Sequence, residues 1–315
     1  MNDSVLILSL ASAVVAATPI LFAALGEIIT NRSGVMNLGV EGMMLVGAVT
    51  GFWAGNTTGS LTMALIVGAF GGMCLGLVHA LLAVSLRVDQ TVSGLSLVIV
   101  GAGLSSFIGT SGEPPLLSAP NAVDVNPLFP EALRDLPAVG PVLLGHDIVV
   151  YLGVVAVFAA TYVLNRTAVG LSLRAVGEDP AAADAAGIDV VKTRYLATAI
   201  GGIGAGIGGV YLTVAIAGTW QNGLTAGMGW IAVALVILAG WRPWLALLGA
   251  CAFGGLNGLG FTLQLAEVNI PSDFLRMMPF VAAYFVVILV SASPSRARRL
   301  SAPAALAQPY SREAR

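Results

Sequence analysis

Apolar residues fill the chain in long runs separated by short polar breaks, and about 20 apolar residues in a helix suffice to cross the hydrocarbon core of a bilayer. By that rule the predicted spans are Val5–Leu25, Val35–Trp53, Leu61–Leu86, Gly94–Gly109, Ile148–Leu164, Leu196–Ala217, Trp230–Gly240, Trp244–Leu263 and Leu275–Ser291. The pattern predicts an all-α polytopic membrane protein with about nine transmembrane helices. Gly94–Gly109 and Trp230–Gly240 are short, so each is expected to be extended, tilted or broken. Gly34, Gly39 and Gly42 interrupt the second run. Residues 31–48 therefore read as a broken or re-entrant helix, the kind that places freed backbone groups beside a substrate.

The basic residues test the span count independently. With the N-terminus outside, Arg32, Arg87, Arg166, Arg174, Lys192, Arg194 and Arg242 fall inside, as do Arg296, Arg298, Arg299, Arg312 and Arg315 at the C-terminal end. Arg134 and Arg276 alone fall outside. Twelve bases against two is a strong positive-inside bias and predicts a cytoplasmic C-terminus. The first span lacks the basic leader of a signal peptide and is expected to be retained. Residues 1–293 are read as the transmembrane domain, with a Pro-rich external loop at 110–147 and a charged cytoplasmic loop at 165–194. The Ala/Pro/Arg-rich tail at 294–315 is expected to be disordered.

Composition narrows the function classes. The chain is 57% hydrophobic and only 10% charged, which excludes a soluble enzyme and a disordered protein. Its 39 glycines suit helices that approach one another closely. Cys74 and Cys251 sit in apolar runs and read as packing residues rather than a disulfide or metal site. A net charge of −2 argues against a nucleic-acid partner. The sequence contains no phosphate-binding loop, no zinc-hydrolase motif and no nucleophile elbow, so the chain is not expected to hydrolyse ATP, and neither metal nor cofactor is expected. Energy must come from a partner or an ion gradient.

Two groups of polar residues carry candidate chemistry. In the cytoplasmic loop, Asp179 suits a helix N-cap, Pro180 the first helical position, and Gly187 a left-handed C-terminal cap. The alanines between them, Ala182 and Ala183 included, with Asp184 form about two turns of strong helix former. Such a helix offers a small face to a cytoplasmic partner, with Arg174 and Glu178 as polar rim; it also suits a plain capped connector. Within the spans, Asn37 and Glu41 are four residues apart and are expected on one face of the second helix, either contacting substrate or fixing helix packing. Ser33–Ala48 and Thr225–Gly240 have equal length and similar starts, which suggests a repeat whose halves meet. Asn257 and Gln264, two turns apart, and Trp220 complete the candidate pathway. Trp53, Trp220, Trp241 and Trp244 read as interface anchors. His79 reads as a buried helix–helix contact rather than a proton relay.

The stretch from Arg174 through Glu178, Asp179, Pro180 and Gly187 to Ile188 resembles the coupling-helix segment of permease subunits of ABC importers. Within them it is closest to the nucleoside-type branch of the branched-chain amino-acid and ribose-type permeases. Asn31–Leu45 resembles that branch's first signature, Arg87–Gly94 its second inside loop, and Leu224–Ile237 and Ile270–Pro271 match as well. Met228 departs from the pattern, where relatives carry a base. The resemblance implies a multi-pass subunit of the bacterial cytoplasmic membrane that moves a small neutral solute, a nucleoside first. Riboflavin-like compounds, simple sugars and branched-chain amino acids are the alternatives. It implies ATPase subunits docked on Glu178–Gly187, a second homologous permease and an extracytoplasmic substrate-binding lipoprotein. A gradient-driven transporter would need carboxylates in the spans, where Glu41 is the one candidate. A membrane enzyme would need clustered catalytic groups, and none is visible.

Overall fold

A computed structural model describes residues 3–111, 119–265 and 302–312, with 115–116 and scattered positions between 271 and 288. Helix α1 spans Asp3–Arg32 and α2 Val40–Thr58. Helix α3, Leu61–Ala80, continues as a π turn to Ser85. Helix α4 covers Gln90–Ser111, a short α5 (Glu131–Arg134) lies in the Pro-rich loop that follows, and α6 covers Ile148–Arg166. The loop at 165–194 holds α7 (Ala168–Glu178) and α8 (Pro180–Ala185). Helix α9, Val190–Tyr211, runs on as a π turn to Ala217, and α10 (Met228–Leu238) and α11 (Pro243–Leu265) follow. Among the described residues there is no strand, and the architecture is all-α. Among the described residues five helices are long and apolar enough to cross a membrane: Ile7–Arg32, Leu61–Ser85, Gln90–Ser111, Ile148–Arg166 and Val190–Ala217.

Helix α9 is the centre of the bundle, packed by α1, α2 and α3. Glycine makes this possible. A Cβ on Gly206 would lie 2.3 Å from the Gly68 carbonyl oxygen of α3, and one on Gly202 2.3 Å from that of Gly72. In lipid, where apolar burial drives helix association weakly, such backbone contact supplies the van der Waals attraction instead. At the start of α6, Asp147 caps the helix by accepting the Val149 N–H (2.8 Å), and its second oxygen accepts the Tyr211 hydroxyl (2.7 Å).

Several sequence expectations change. Helix α1 runs past Leu25 to Arg32 and so carries Glu27 into the interior. The span predicted at Gly94–Gly109 lengthens to the 22 residues of α4. Within residues 31–48 the helix is broken at 33–39, between α1 and α2, as its glycines led one to expect. The short span at Trp230–Gly240 is an 11-residue helix preceded by an unwound stretch. In that stretch Gly218, Gly223, Ala226 and Gly227 all have positive φ, and no helix propagates through it. Trp53 and Trp244 are half exposed as interface anchors are, but Trp220 and Trp241 are buried. Residues 302–312 pack against the ends of α7 and α8 and against Gly34. The span predicted at Leu275–Ser291 lies largely outside the described residues.

Candidate functional site

The break before α2 is built from side chains of other helices. Gly34, at φ +86°, turns the chain out of α1, and the next residues have no helical partners for their backbone groups. Gln90 of α4 accepts the Met36 N–H (2.7 Å), Glu27 of α1 accepts the Asn37 N–H (3.3 Å), and His79 of α3 bonds the Met36 carbonyl (3.0 Å). Asn31, with its amide oriented to satisfy its neighbours, donates to Glu27 and to the Val35 carbonyl, both at 2.9 Å, and accepts from the Trp241 indole. Irregular backbone at this depth is stable only when such partners replace the missing ladder.

Glu41 lies in the first turn of α2, 7% exposed. One carboxylate oxygen accepts the Thr225 hydroxyl and the Gly227 N–H (2.9 Å), and the other accepts the Gly229 N–H (2.7 Å). Gly227 is the N-cap of α10. The carboxylate therefore satisfies the orphan amide groups at the start of α10 and sits at the positive end of its dipole. The approach is close enough that a Cβ on Gly229 would lie 2.6 Å from the Glu41 Cα. The two segments expected to meet, Ser33–Ala48 and Thr225–Gly240, do meet, and Glu41 is the joint.

Other pathway candidates fall elsewhere. Asn37 is in the break, not on α2, so it shares no helix face with Glu41. Its Oδ1 accepts the Gly39 N–H (3.0 Å), and the residue is fully buried. Trp220, also fully buried, packs with Val49, Phe52, Val210 and Val214 against Gly109, where no side chain would fit. Neither presents a surface to a solute. Asn257 is half-buried on α11, and the side chain of Gln264 lies outside the described residues. Glu27 is the carboxylate that sequence reading missed. Its signal was a charge two residues beyond the apolar run that ends at Leu25. His79 is a buried helix–helix contact, its Nδ1 3.0 Å from the Ser93 hydroxyl.

Between α7 and α9, α8 forms with the caps its sequence specifies. Asp179 accepts the Ala181 and Ala182 N–H groups, each at 3.0 Å, and Pro180 opens the helix. Gly187 (φ +85°) closes it, with the Ile188 N–H reaching back to the Ala183 carbonyl (3.0 Å). Ala183 is buried against Val176 and Val190, while Ala181, Ala182, Ala185 and Gly187 are exposed. Arg174, on α7, is half-buried and bonds the Gly170 carbonyl.

The tail lies across this region like a strap. The Ala305 N–H donates to the Gly177 carbonyl (2.9 Å), the Ala307 N–H to that of Gly34 (3.1 Å), and the Ala304 N–H to Glu178 (3.2 Å). Arg194, buried in α9, donates to the Ser33 carbonyl (3.2 Å) and the Gln308 carbonyl (3.1 Å). Arg312 forks onto Asp184 at 2.6 and 2.9 Å, and this bond holds its guanidinium above its ordinary pKa. The strap thus touches α8, the end of α7 and the break before α2.

Comparison with known proteins matches this arrangement to a class. Residues 9–289 match the family described as branched-chain amino acid transport system / permease component, and the chain belongs to that family. It is 40% identical to the putative glucose ABC transporter permease protein TsgC13 of Haloferax volcanii, over 95% of each chain. It is 32% identical to the guanosine ABC transporter permease protein NupQ of Bacillus subtilis, over 98% of each. It is 25% identical to the guanosine permease NupP of the same organism, over 85% of this chain and 78% of that one. No solved structure matches. The protein is an ABC importer permease, a multi-pass membrane subunit and not an enzyme; ATP is hydrolysed on a separate subunit.

Proposed function

We propose that this permease imports a nucleoside across the cytoplasmic membrane, with ATPase subunits docked on α8. The substrate class rests on the guanosine permeases among its relatives. The glucose permease relative makes a simple sugar the second reading, since both are neutral and hydroxyl-rich. A second homologous permease supplies the other half of the pathway, as the paired NupQ and NupP of one organism suggest, and an external lipoprotein delivers substrate.

The observation that carries the docking reading is the exposed small face of α8, rigidly capped on the basic side of the bundle. A partner backbone can approach alanine closely, and a capped helix transmits displacement rather than absorbing it. Movement of α8 passes through Asp184 and Arg312 to the strap, and through Gly177 and Arg194 to residues 33–34. From there the break at 33–39 leads to Glu41 and α10. Glu41 acts as a positioning residue, holding two broken helices together in one access state.

Ala182→Trp on the exposed face of α8 tests this. In the reconstituted complex it should abolish ATPase binding and nucleoside uptake while the permease stays folded. Uptake at the unmodified rate would overturn the docking reading. Competition of labelled guanosine by glucose, with none by other nucleosides, would favour the sugar.

A further inference from the structure

Three arginines from three elements converge on one pocket at the cytoplasmic end. Arg32 ends α1, Arg174 lies on α7, and Arg242 sits between α10 and α11; together with Thr161, Asn165 and Trp244 they line a cavity of ≈ 400 Å³. Among the described residues no carboxylate lines it. None of the three arginines forms an ion pair among the described residues, where the pairs are Arg134–Glu131 and Arg312–Asp184. Arg174 and Arg242 both repel the Arg32 guanidinium. Glu178 attracts it, but the Glu178 carboxylate is turned to the Ala304 N–H of the strap. Arg32 uses one donor on the Trp241 carbonyl (3.3 Å) and Arg174 one on the Gly170 carbonyl (3.4 Å). A guanidinium carries five N–H donors, so each fork has more to offer. Three guanidinium groups around a cavity whose described lining holds no carboxylate fit an anion, and the fork geometry fits phosphate oxygens.

The position of the pocket says where that anion comes from. Thr161 lies one turn inside the end of the α6 span Ile148–Arg166. On α11, Trp244 is 48% exposed, and Leu248, one turn further along, is 58% exposed. The mouth therefore opens beside apolar, lipid-facing surface at the end of the spans, on the face that the basic residues assign to the cytoplasm. Basic pockets between transmembrane helices on that side suit lipid headgroups. We propose that the pocket binds the phosphate of an anionic phospholipid of the inner leaflet, held between Arg32, Arg174 and Arg242.

The test uses the full-length chain with its partner subunits in nanodiscs of phosphatidylcholine, with or without phosphatidylglycerol. Phosphatidylglycerol should raise the thermal midpoint by roughly 3 °C, and native mass spectrometry should find it retained. Arg174→Gln and Arg242→Gln should each lose most of the shift and the retained lipid. Arg166→Gln, exposed at the end of α6 but outside the pocket, should keep both; Arg242 is itself exposed, so Arg242→Gln remains informative if Arg174→Gln fails to fold. Equal midpoints in the two lipid mixtures, or equal losses in Arg166→Gln and Arg242→Gln, would overturn the proposal. Millimolar inorganic phosphate in pure phosphatidylcholine should give no shift. A shift matching that of phosphatidylglycerol would assign the pocket to soluble phosphate and overturn the lipid source.

Discussion

Helix α8 and the Glu41 joint are both helix starts capped by a carboxylate, yet they are encoded in opposite ways. At α8 the cap is Asp179, two and three residues before the amides it accepts. At α10 the cap is Glu41, and its partners are more than 180 residues away along the chain. The first is a local motif that forms wherever the chain exposes it. The second exists only after two interrupted helices have packed, and it holds them together. A local cap can be lost at the cost of one helix end. A tertiary cap takes the helix–helix joint with it.

Removing Glu41 should therefore have the largest effect. Glu41→Ala leaves the Gly227 and Gly229 amides and the Thr225 hydroxyl without their acceptor, a loss of about 3–5 kcal/mol by analogy with a broken buried charge interaction. Uptake should vanish and the thermal midpoint in detergent should fall sharply; a midpoint unchanged from the parent would show that the joint is not structural. Gly229→Ala pushes a methyl into the Glu41 backbone and should cost about 1–3 kcal/mol, with uptake falling before assembly does. Glu27→Ala strips the Asn37 amide of its acceptor and should cost about 1–3 kcal/mol. Hydrogen exchange at residues 35–39 should rise selectively.

Asp179→Ala should cost about 1 kcal/mol, confined to α8. The expected readout is looser ATPase binding in the complex with an unaltered midpoint for the bundle. If it destabilised the bundle as much as Glu41→Ala, the contrast between local and tertiary caps would fail. Arg312→Gln should be the mildest change, because the guanidinium is solvent-exposed and screened. It should lower transport per ATP hydrolysed without affecting assembly, and an unchanged ratio would show that the strap carries no coupling.

The sequence was informative wherever its signals were short-range. Asp179, Pro180 and Gly187 announced α8, and the glycines announced a close-packed bundle. Asn37 misled because a spacing of four implies a shared face only within a helix, and the helix begins at Val40. Glu27 escaped notice because an apolar run was ended at Leu25. Only the packed neighbours show that α1 continues and that the carboxylate is needed by the Asn37 amide. Trp220 looked like an interface aromatic, but α4 presents Gly109 where the indole needs room.

What the sequence alone determined is the class of the protein, all-α and multi-pass, and the capped helix α8, because span length and capping depend on residues within a few turns of each other. The tertiary structure alone decided how the interrupted helices are satisfied and joined, and how the tail straps α8 to the break. Those contacts are made by hydrogen-bonding groups far apart in the chain, and no local preference specifies which of them will find which.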